Sequence, residues 1–283
     1  MRHLQKGWDK PETVRDYEIF IRSCPLYREM ASSLADRCVG ERQRVLVDLG
    51  AGTGINTVEI LDRMHPGAQL WSVDPSELML ARARSQIKDP RVRWLVGDSG
   101  VLADMRSGRW VDAFLANASA WMDPDPDILF QRVADMLNPG GVFGCTLPAE
   151  YLGEIHYLVT PEARAFSSVL HSIRSAAISQ QSRQNDDEVQ GDLRGENFPT
   201  SFEDLRARLE VLGFGSVGAQ RDDTIVTAED RARWYSLPPV LGTWLPGANE
   251  AARAAAVREL FARTSVLPPV RMGWLTVWAR KEG

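Results

Sequence analysis

The 283-residue chain is 44% hydrophobic and 25% charged, an ordinary globular balance, and it is long enough to bury a full core. Its net charge of −5 and pI near 5.5 argue against a broad phosphate-binding surface, and no stretch approaches the ~20 apolar residues of a membrane span. Three cysteines (Cys24, Cys38, Cys145) lack C-x-x-C spacing and the first residues lack a signal-peptide core, so buried thiols in a reducing cytoplasm are expected.

Along the chain, a first helix over residues 11–21 carries Val14, Tyr17 and Ile21 on one side. From residue 44 to about 148, short apolar runs alternate with helical ones. The strand-like runs are 44–49, 69–74, 92–96, 111–117 and 142–147. Between them, Ile55, Val58, Leu61 and Met64 share a helix face, 75–87 reads as helix, and Leu129, Phe130, Val133 and Leu137 share another face. Asn138-Pro139-Gly140-Gly141 is read as the stop of that helix and a turn into the fifth strand. Near-continuous apolar strands alternating with helices predict a doubly wound, mostly parallel α/β sheet.

The alternation then breaks. Thr160-Pro161-Glu162 is a helix start, followed by Phe166, Val169, Leu170, Ile173 and Ala177 on one stripe. Residues 182–199 are polar and read as a loop. Thr200-Ser201-Phe202-Glu203 has a capping-box pattern that opens a helix with Phe202, Leu205, Leu209 and Leu212 on one side. A weak strand is expected near 215–220, then helices over 227–235 and 249–263 joined by a Pro/Trp-rich link, then a last strand over 272–280. One domain is expected, with an N-terminal helical cap (1–43), a core (44–148), helical lid insertions (149–200 and 222–271) and C-terminal sheet elements (201–221 and 272–283).

The chemistry concentrates at Asp48-Leu49-Gly50-Ala51-Gly52-Thr53-Gly54. Glycines between a strand and a helix let a backbone approach a ligand closely, and alone they are a weak signal. A dinucleotide site wants G-x-G-x-x-G and a pyrophosphate on the helix N-terminus. Here the third glycine comes one residue early, and Asp48 would repel a pyrophosphate. That acid suits a ligand carrying an ammonium and a sulfonium instead. Asp74 ends the second strand, where a carboxylate accepts from both ribose hydroxyls. Asp98 follows the third strand in Gly97-Asp98-Ser99, placed to accept from an adenine amine. Each acid singly reads as a cap or a solvated charge, but three at successive strand ends make a ligand outline.

These runs resemble the class I, Rossmann-like S-adenosylmethionine-dependent methyltransferases over at least residues 44–148. The matches are V-L-V-D-L-G-A-G-T-G, V-D-P-S-E-L-M-L, G-D-S and L-N-P-G-G-V-F. The resemblance implies a seven-stranded sheet whose last strand is antiparallel, with S-adenosylmethionine as cofactor. It implies that Asp48 and Gly50 lie near the methionine part, Asp74 at the ribose, Asp98 and Ser99 at the adenine, and Asn117 at the methionyl group, with Gly52 and Pro75 also among the cofactor-binding residues. Upstream, Arg22-Ser23-Cys24-Pro25-Leu26-Tyr27 is similar to the R-S-x-P-x-Y run of the tRNA wobble-uridine carboxymethylation enzymes. That likeness puts Tyr27 over the cofactor and Arg22 against its carboxylate; the bland alternative is aromatic packing and a surface arginine.

The acceptor side is less legible. Ala116-Asn117-Ala118-Ser119-Ala120-Trp121 lacks the N/D-P-P-Y/F of nucleic-acid amino methyltransferases and the Pro-Cys of pyrimidine C5-methylation. His156 and Tyr157, after the fifth strand, and His171, on the next helix, are the general-base candidates, each with a bland reading as a capping, packing or solvated residue. Trp234-Tyr235 and Trp244 suit either a core or a flat, apolar acceptor, which leans toward secondary metabolism. No cluster has metal-ligand spacing, so no metal is expected; Asp123, Asp125 and Asp127 with their prolines read as a helix-starting loop.

The expectation is therefore metal-independent methyl transfer to a small molecule at O, N or C. RNA modification is the alternative substrate class, which the acidic pI opposes, and use of the cofactor without methyl transfer is the third reading. No membrane partner is expected, and the first helix is placed to close the pocket or to mediate a homodimer.

Overall fold

The computed structural model describes residues 7–105, 108, 110–179 and 197–283. Most of the expected polar loop, including Asp186, Asp187 and Glu188, lies outside them. Strands β1 (Val45–Leu49), β2 (Gln69–Asp74), β3 (Val92–Val96), β4 (Val111–Asn117) and β5 (Leu137–Pro148) alternate with α3 (Ile55–Leu61), α4 (Glu77–Gln86), α5 (Ser99–Met105) and α6 (Pro126–Met136). Helix α8 (Phe202–Val211), β6 (Phe214–Val226) and β7 (Val270–Lys281) complete a seven-stranded sheet of order β3-β2-β1-β4-β5-β7-β6. β1 to β5 pair in parallel, and β7 runs antiparallel to β5 with Val142 opposite Arg280 and Pro148 opposite Trp274. This is the mostly parallel sheet that the strand pattern predicts, with the antiparallel last strand that the family resemblance implies. Its order reverses between β1 and β4, and in such sheets the crevice beyond the strands' carboxyl ends is where ligands bind.

The chain divides into two compact units. The α/β unit comprises Pro25–Glu154, Arg194–Asp222 and Gly273–Gly283. There α2 (Leu26–Cys38) buries Leu34 and Cys38 against Leu46, Leu70, Leu115 and Val142 of the sheet. Burial pushes the thiols of Cys38 and Cys145 up to about 12, which keeps them protonated and inert. The other unit, within Met1–Cys24, Ile155–Leu193 and Asp223–Met272, is helical. Its helices are α1 (Pro11–Ser23), α7 (Pro161–Ser179), α9 (Ala228–Ser236), α10 (Pro238–Trp244) and α11 (Glu250–Thr264), around Phe166, Ile173, Ala232, Leu245 and Leu260. Trp234 packs 5.6 Å from Phe20 and 6.4 Å from Trp8, while Tyr235 meets Trp244 edge-on at 5.7 Å. Those aromatics thus pack within the helical unit. Among the described residues no helix is long and apolar enough to cross a membrane.

Several boundaries differ from the sequence reading, for local reasons. The expected link after Tyr235 forms α10, because Pro238 at the first helical position fixes a helical φ without losing a needed N–H. The true cap of α8 is Ser201, whose Oγ accepts from Asp204 N at 3.1 Å, one residue later than the capping-box pattern suggests. β6 runs 13 residues rather than six. Asn138-Pro139-Gly140-Gly141 lies inside β5: Leu137 pairs with Val111 and Val142 with Ala113, so the extra residues are absorbed as a register irregularity.

The β1–α3 turn positions everything that follows. Gly50 has φ +71°, and a Cβ there would overlap the Ser119 side chain; Gly54, with φ +97°, caps α3 in the left-handed region. Amides of Gly50 and Ala51 both donate to Val73 O, at 2.8 and 3.0 Å, tying the turn to β2. Asp48 is fully buried behind this turn. Its Oδ1 accepts from Asn56 Nδ2 at 2.7 Å and its Oδ2 from Thr57 Oγ1 at 2.6 Å, and Thr57 Oγ1 also lies 3.1 Å from Ser72 Oγ. Burial pushes its pKa up to about 6 against those two bonds, and Asp74 adds a repulsion that raises it further.

Gly50→Ala should lower stability by about 1–3 kcal/mol, read as a depressed denaturation midpoint, because both the φ and the space are forbidden to a Cβ. Asp48 binds a proton more tightly folded, at about 6, than at its ordinary 3.8. Its contribution to stability is therefore full below pH ~4 and lost as pH rises through about 6. Asp48→Asn removes that slope, so the variant should gain on the wild type between pH 4 and 7 in urea titrations; parallel profiles would refute the assignment.

Candidate functional site

The end of β2 holds the strongest polar junction. Asp74 is buried, and its Oδ2 accepts from the Gly52 amide at 2.8 Å while its Oδ1 accepts from the Ser76 amide at 2.8 Å. Ser76 in turn caps α4, accepting from Met79 N at 3.2 Å, and Pro75 between them is exposed. One carboxylate thus fixes the glycine turn and the start of the next helix.

Beyond β3, Asp98 is more than half exposed, and its Oδ1 accepts from Gly100 N at 2.7 Å. Arg132 of α6 reaches across, with Nη1 3.3 Å from the buried Ser99 Oγ and 3.7 Å from Asp98 Oδ1. Asp123 faces this pair: burial pushes its carboxyl up to about 6, with Asp98 raising it further and Arg132 lowering it. Asp125, as expected of a helix-starting loop, caps α6, accepting from Ile128 N at 3.1 Å.

At the end of β4 the side chain of Asn117 is engaged on both sides. Its Nδ2 donates to Tyr27 O at 3.0 Å, and its Oδ1 accepts from Thr146 Oγ1 at 2.7 Å. Ser119 Oγ donates to Leu49 O at 2.6 Å, which seats it over Gly50. Tyr27 is buried with its ring edge-on to Trp274 at 5.6 Å, and Trp121 lies 5.1 Å from Tyr151. The unit therefore brings Tyr27, Asp48, Gly50, Gly52, Asp74, Pro75, Asp98, Ser99 and Asn117 to the strand ends of one sheet.

Asp48 enters differently from its sequence reading, because its oxygens hold Asn56 and Thr57 and so brace the turn from behind. Arg22, His156, Tyr157 and His171 belong to the helical unit. Arg22 is exposed in the last turn of α1, His156 and Tyr157 lie in a single 3₁₀ turn (His156–Val159), and His171 is exposed on α7. Among the described residues no group of three or more His, Cys, Asp or Glu is placed to hold a metal ion. Sequence reasoning missed Thr146, Ser119 and Arg132. The one available signal was the lone hydroxyl of Thr146 in an otherwise apolar strand.

Residues 46–141 match a family model described as a methyltransferase domain. The chain is 34% identical over 149 residues to a trans-aconitate 2-methyltransferase of Deinococcus radiodurans, covering 53% of each chain. It is 33% identical over 132 residues to the enzyme of that name from Escherichia coli, covering 46% of this chain and 49% of that one. The chain thus spans about half the length of the curated relatives it matches. In fold it is similar to a Haemonchus contortus phosphoethanolamine N-methyltransferase 2 solved with S-adenosyl-L-methionine, at a TM-score of 0.55 and 16% identity, over 99% of this chain and 60% of that one. Taken with the strand order, the glycine turn and the strand-end acids, the match shows a methyltransferase-type domain over residues 46–141 of this chain.

Proposed function

We propose that the chain binds S-adenosylmethionine at the carboxyl ends of β1, β2, β3 and β4 and transfers its methyl group to a small organic molecule, without a protein-held metal. The observation that carries the reading is the Asp74 carboxylate, which ties the glycine turn to the end of β2 through Gly52 and Ser76. A glycine-lined turn that a Cβ would fill, with a buried acid at the next strand end, fits a nucleoside whose ribose hydroxyls need an acceptor and whose cations need no phosphate cradle. Bound there, the cofactor would supply a methyl group on a sulfonium, passed to the acceptor by in-line displacement with the neutral thioether, S-adenosylhomocysteine, as the leaving group.

The chain's own work is then to bind, orient and exclude water. Asp74 takes the ribose, Ser99 and Asp98 the adenine edge, and the Gly50–Gly52 backbone the methionine part. The acceptor is positioned by the aromatic side chains grouped beyond β4 and β5, Trp121 with Tyr151 and Tyr27 with Trp274. The relatives' names make trans-aconitate the first acceptor to try. A carboxylate acceptor is already ionised at neutral pH and needs no general base; a hydroxyl or ammonium acceptor does, and His156, Tyr157 and His171 are then the groups to replace first. All three cysteines are buried and unbridged, in keeping with the cytoplasm as the compartment.

Thermal melting with S-adenosylhomocysteine should raise the transition temperature, and NAD should leave it unchanged. Asp74→Ala should weaken that ligand by roughly tenfold to hundredfold, the ~1.5–3 kcal/mol of hydrogen bonds to a charged group; unchanged affinity would remove the ribose assignment. Labelled cofactor incubated with a panel of small acids, phenols and amines should yield one methylated product. Label in RNA, or product formed with the cofactor unconsumed, would overturn the small-molecule methyltransferase reading.

A further inference from the structure

Among the described residues one non-glycine residue, Ala118, has its backbone in the left-handed region, with φ +53°. That conformation is disfavoured for any residue with a Cβ, and it persists only where the surroundings over-determine it. Here Thr146 does so with a single hydroxyl. Its Oγ1 accepts from Ala118 N at 2.9 Å and donates to Asn117 Oδ1 at 2.7 Å. Thr146 is fully buried on β5, in register with Asn117 on β4 and Thr276 on β7. Two further contacts fix the ends of the same turn: Asn117 Nδ2 on Tyr27 O, and Ser119 Oγ on Leu49 O directly over Gly50.

We infer that Thr146 is a positioning residue for cofactor binding: its hydroxyl holds the Asn117-Ala118-Ser119 turn in a strained conformation that seats Ser119 against the glycine turn. A valine has nearly the same shape and neither bond. Without the hydroxyl, Ala118 has no reason to stay at positive φ, the peptide between Asn117 and Ala118 is free to rotate, and Ser119 loses its fixed approach to Leu49 O. Gly50 then loses one wall. The strain is local and the bonds that impose it are few, so the effect should concentrate on ligand affinity. The inference rests on the cofactor reading above.

The test is calorimetric titration of S-adenosylhomocysteine into four variants, beside amide hydrogen exchange at Ala118. Thr146→Val should weaken binding by about tenfold, the worth of one or two neutral hydrogen bonds, and lose protection of the Ala118 amide. Thr146→Ser should stay within about twofold of the wild type. Ala118→Gly in the Thr146→Val background should recover part of the affinity, because glycine adopts the turn unaided. Ala118→Val, which strains the turn without touching β5, should weaken binding as Thr146→Val does, and it serves if Thr146→Val fails to fold. A purely structural role predicts a lower transition temperature with unchanged affinity, and Thr146→Val binding within twofold of the wild type overturns the inference. A wild type with a protected Ala118 amide but no affinity for the ligand overturns the cofactor reading instead.

Discussion

The carboxylate of Asp74 joins two parts of the chain that are distant in sequence and must be close in space. One oxygen takes the amide of Gly52 in the turn after β1, and the other takes the amide of Ser76 at the start of α4. Neither amide has a helix or strand partner to fall back on, since both sit where a strand has ended and a helix has not yet begun. The parallel β1/β2 register brings these ends together, and the backbone bonds from Gly50 and Ala51 to Val73 O hold them there. Left-handed glycines are affordable in such a turn because it is pinned from the side by an ion that water reaches poorly. Asp48 braces the same turn from beneath with a second buried carboxyl, and the two acids repel one another.

How much of this was legible in the residues depends on range. β1 to β5 follow from apolar runs spaced by helical ones, and the three acids are found because each stands at the end of such a run, Asp48 and Asp74 within the last two residues of β1 and β2 and Asp98 two residues after β3. The turn chemistry of Gly50-Ala51-Gly52-Thr53-Gly54 is local and reads directly. What did not read is set by strand order. Thr146 and Asn117 are 29 residues apart and become neighbours only when β5 lies beside β4. Arg132 likewise reaches Ser99 only after α6 packs beside α5. The local misreadings are of another kind. Pro238-Pro239 reads as a link in sequence but opens a helix, because proline favours the first helical turn, and Asn138-Pro139-Gly140-Gly141 reads as a plain turn but lies within a strand that begins before it.

The helical unit is built on different rules. Its core is helix on helix with aromatic rings at close quarters, Trp8, Phe20 and Trp234 in one group and Phe166, Tyr235 and Trp244 in another. Three stretches of the chain contribute to it, so no continuous piece of sequence contains it. The match to the methyltransferase model covers residues 46–141, all within the α/β unit. The part shared with that model is thus a continuous stretch of the sheet, and the helical unit lies outside it.

The buried cysteines have a kinetic meaning. Cys38 on α2 and Cys145 on β5 are sealed within the α/β unit and stay protonated at any physiological pH. A thiol reagent in solution can reach them only while that packing is breached. Their modification rate in the untreated protein is thus a clock for the opening of the sheet, needing no introduced label, and any ligand that binds only the closed sheet must slow it in proportion to how tightly it binds.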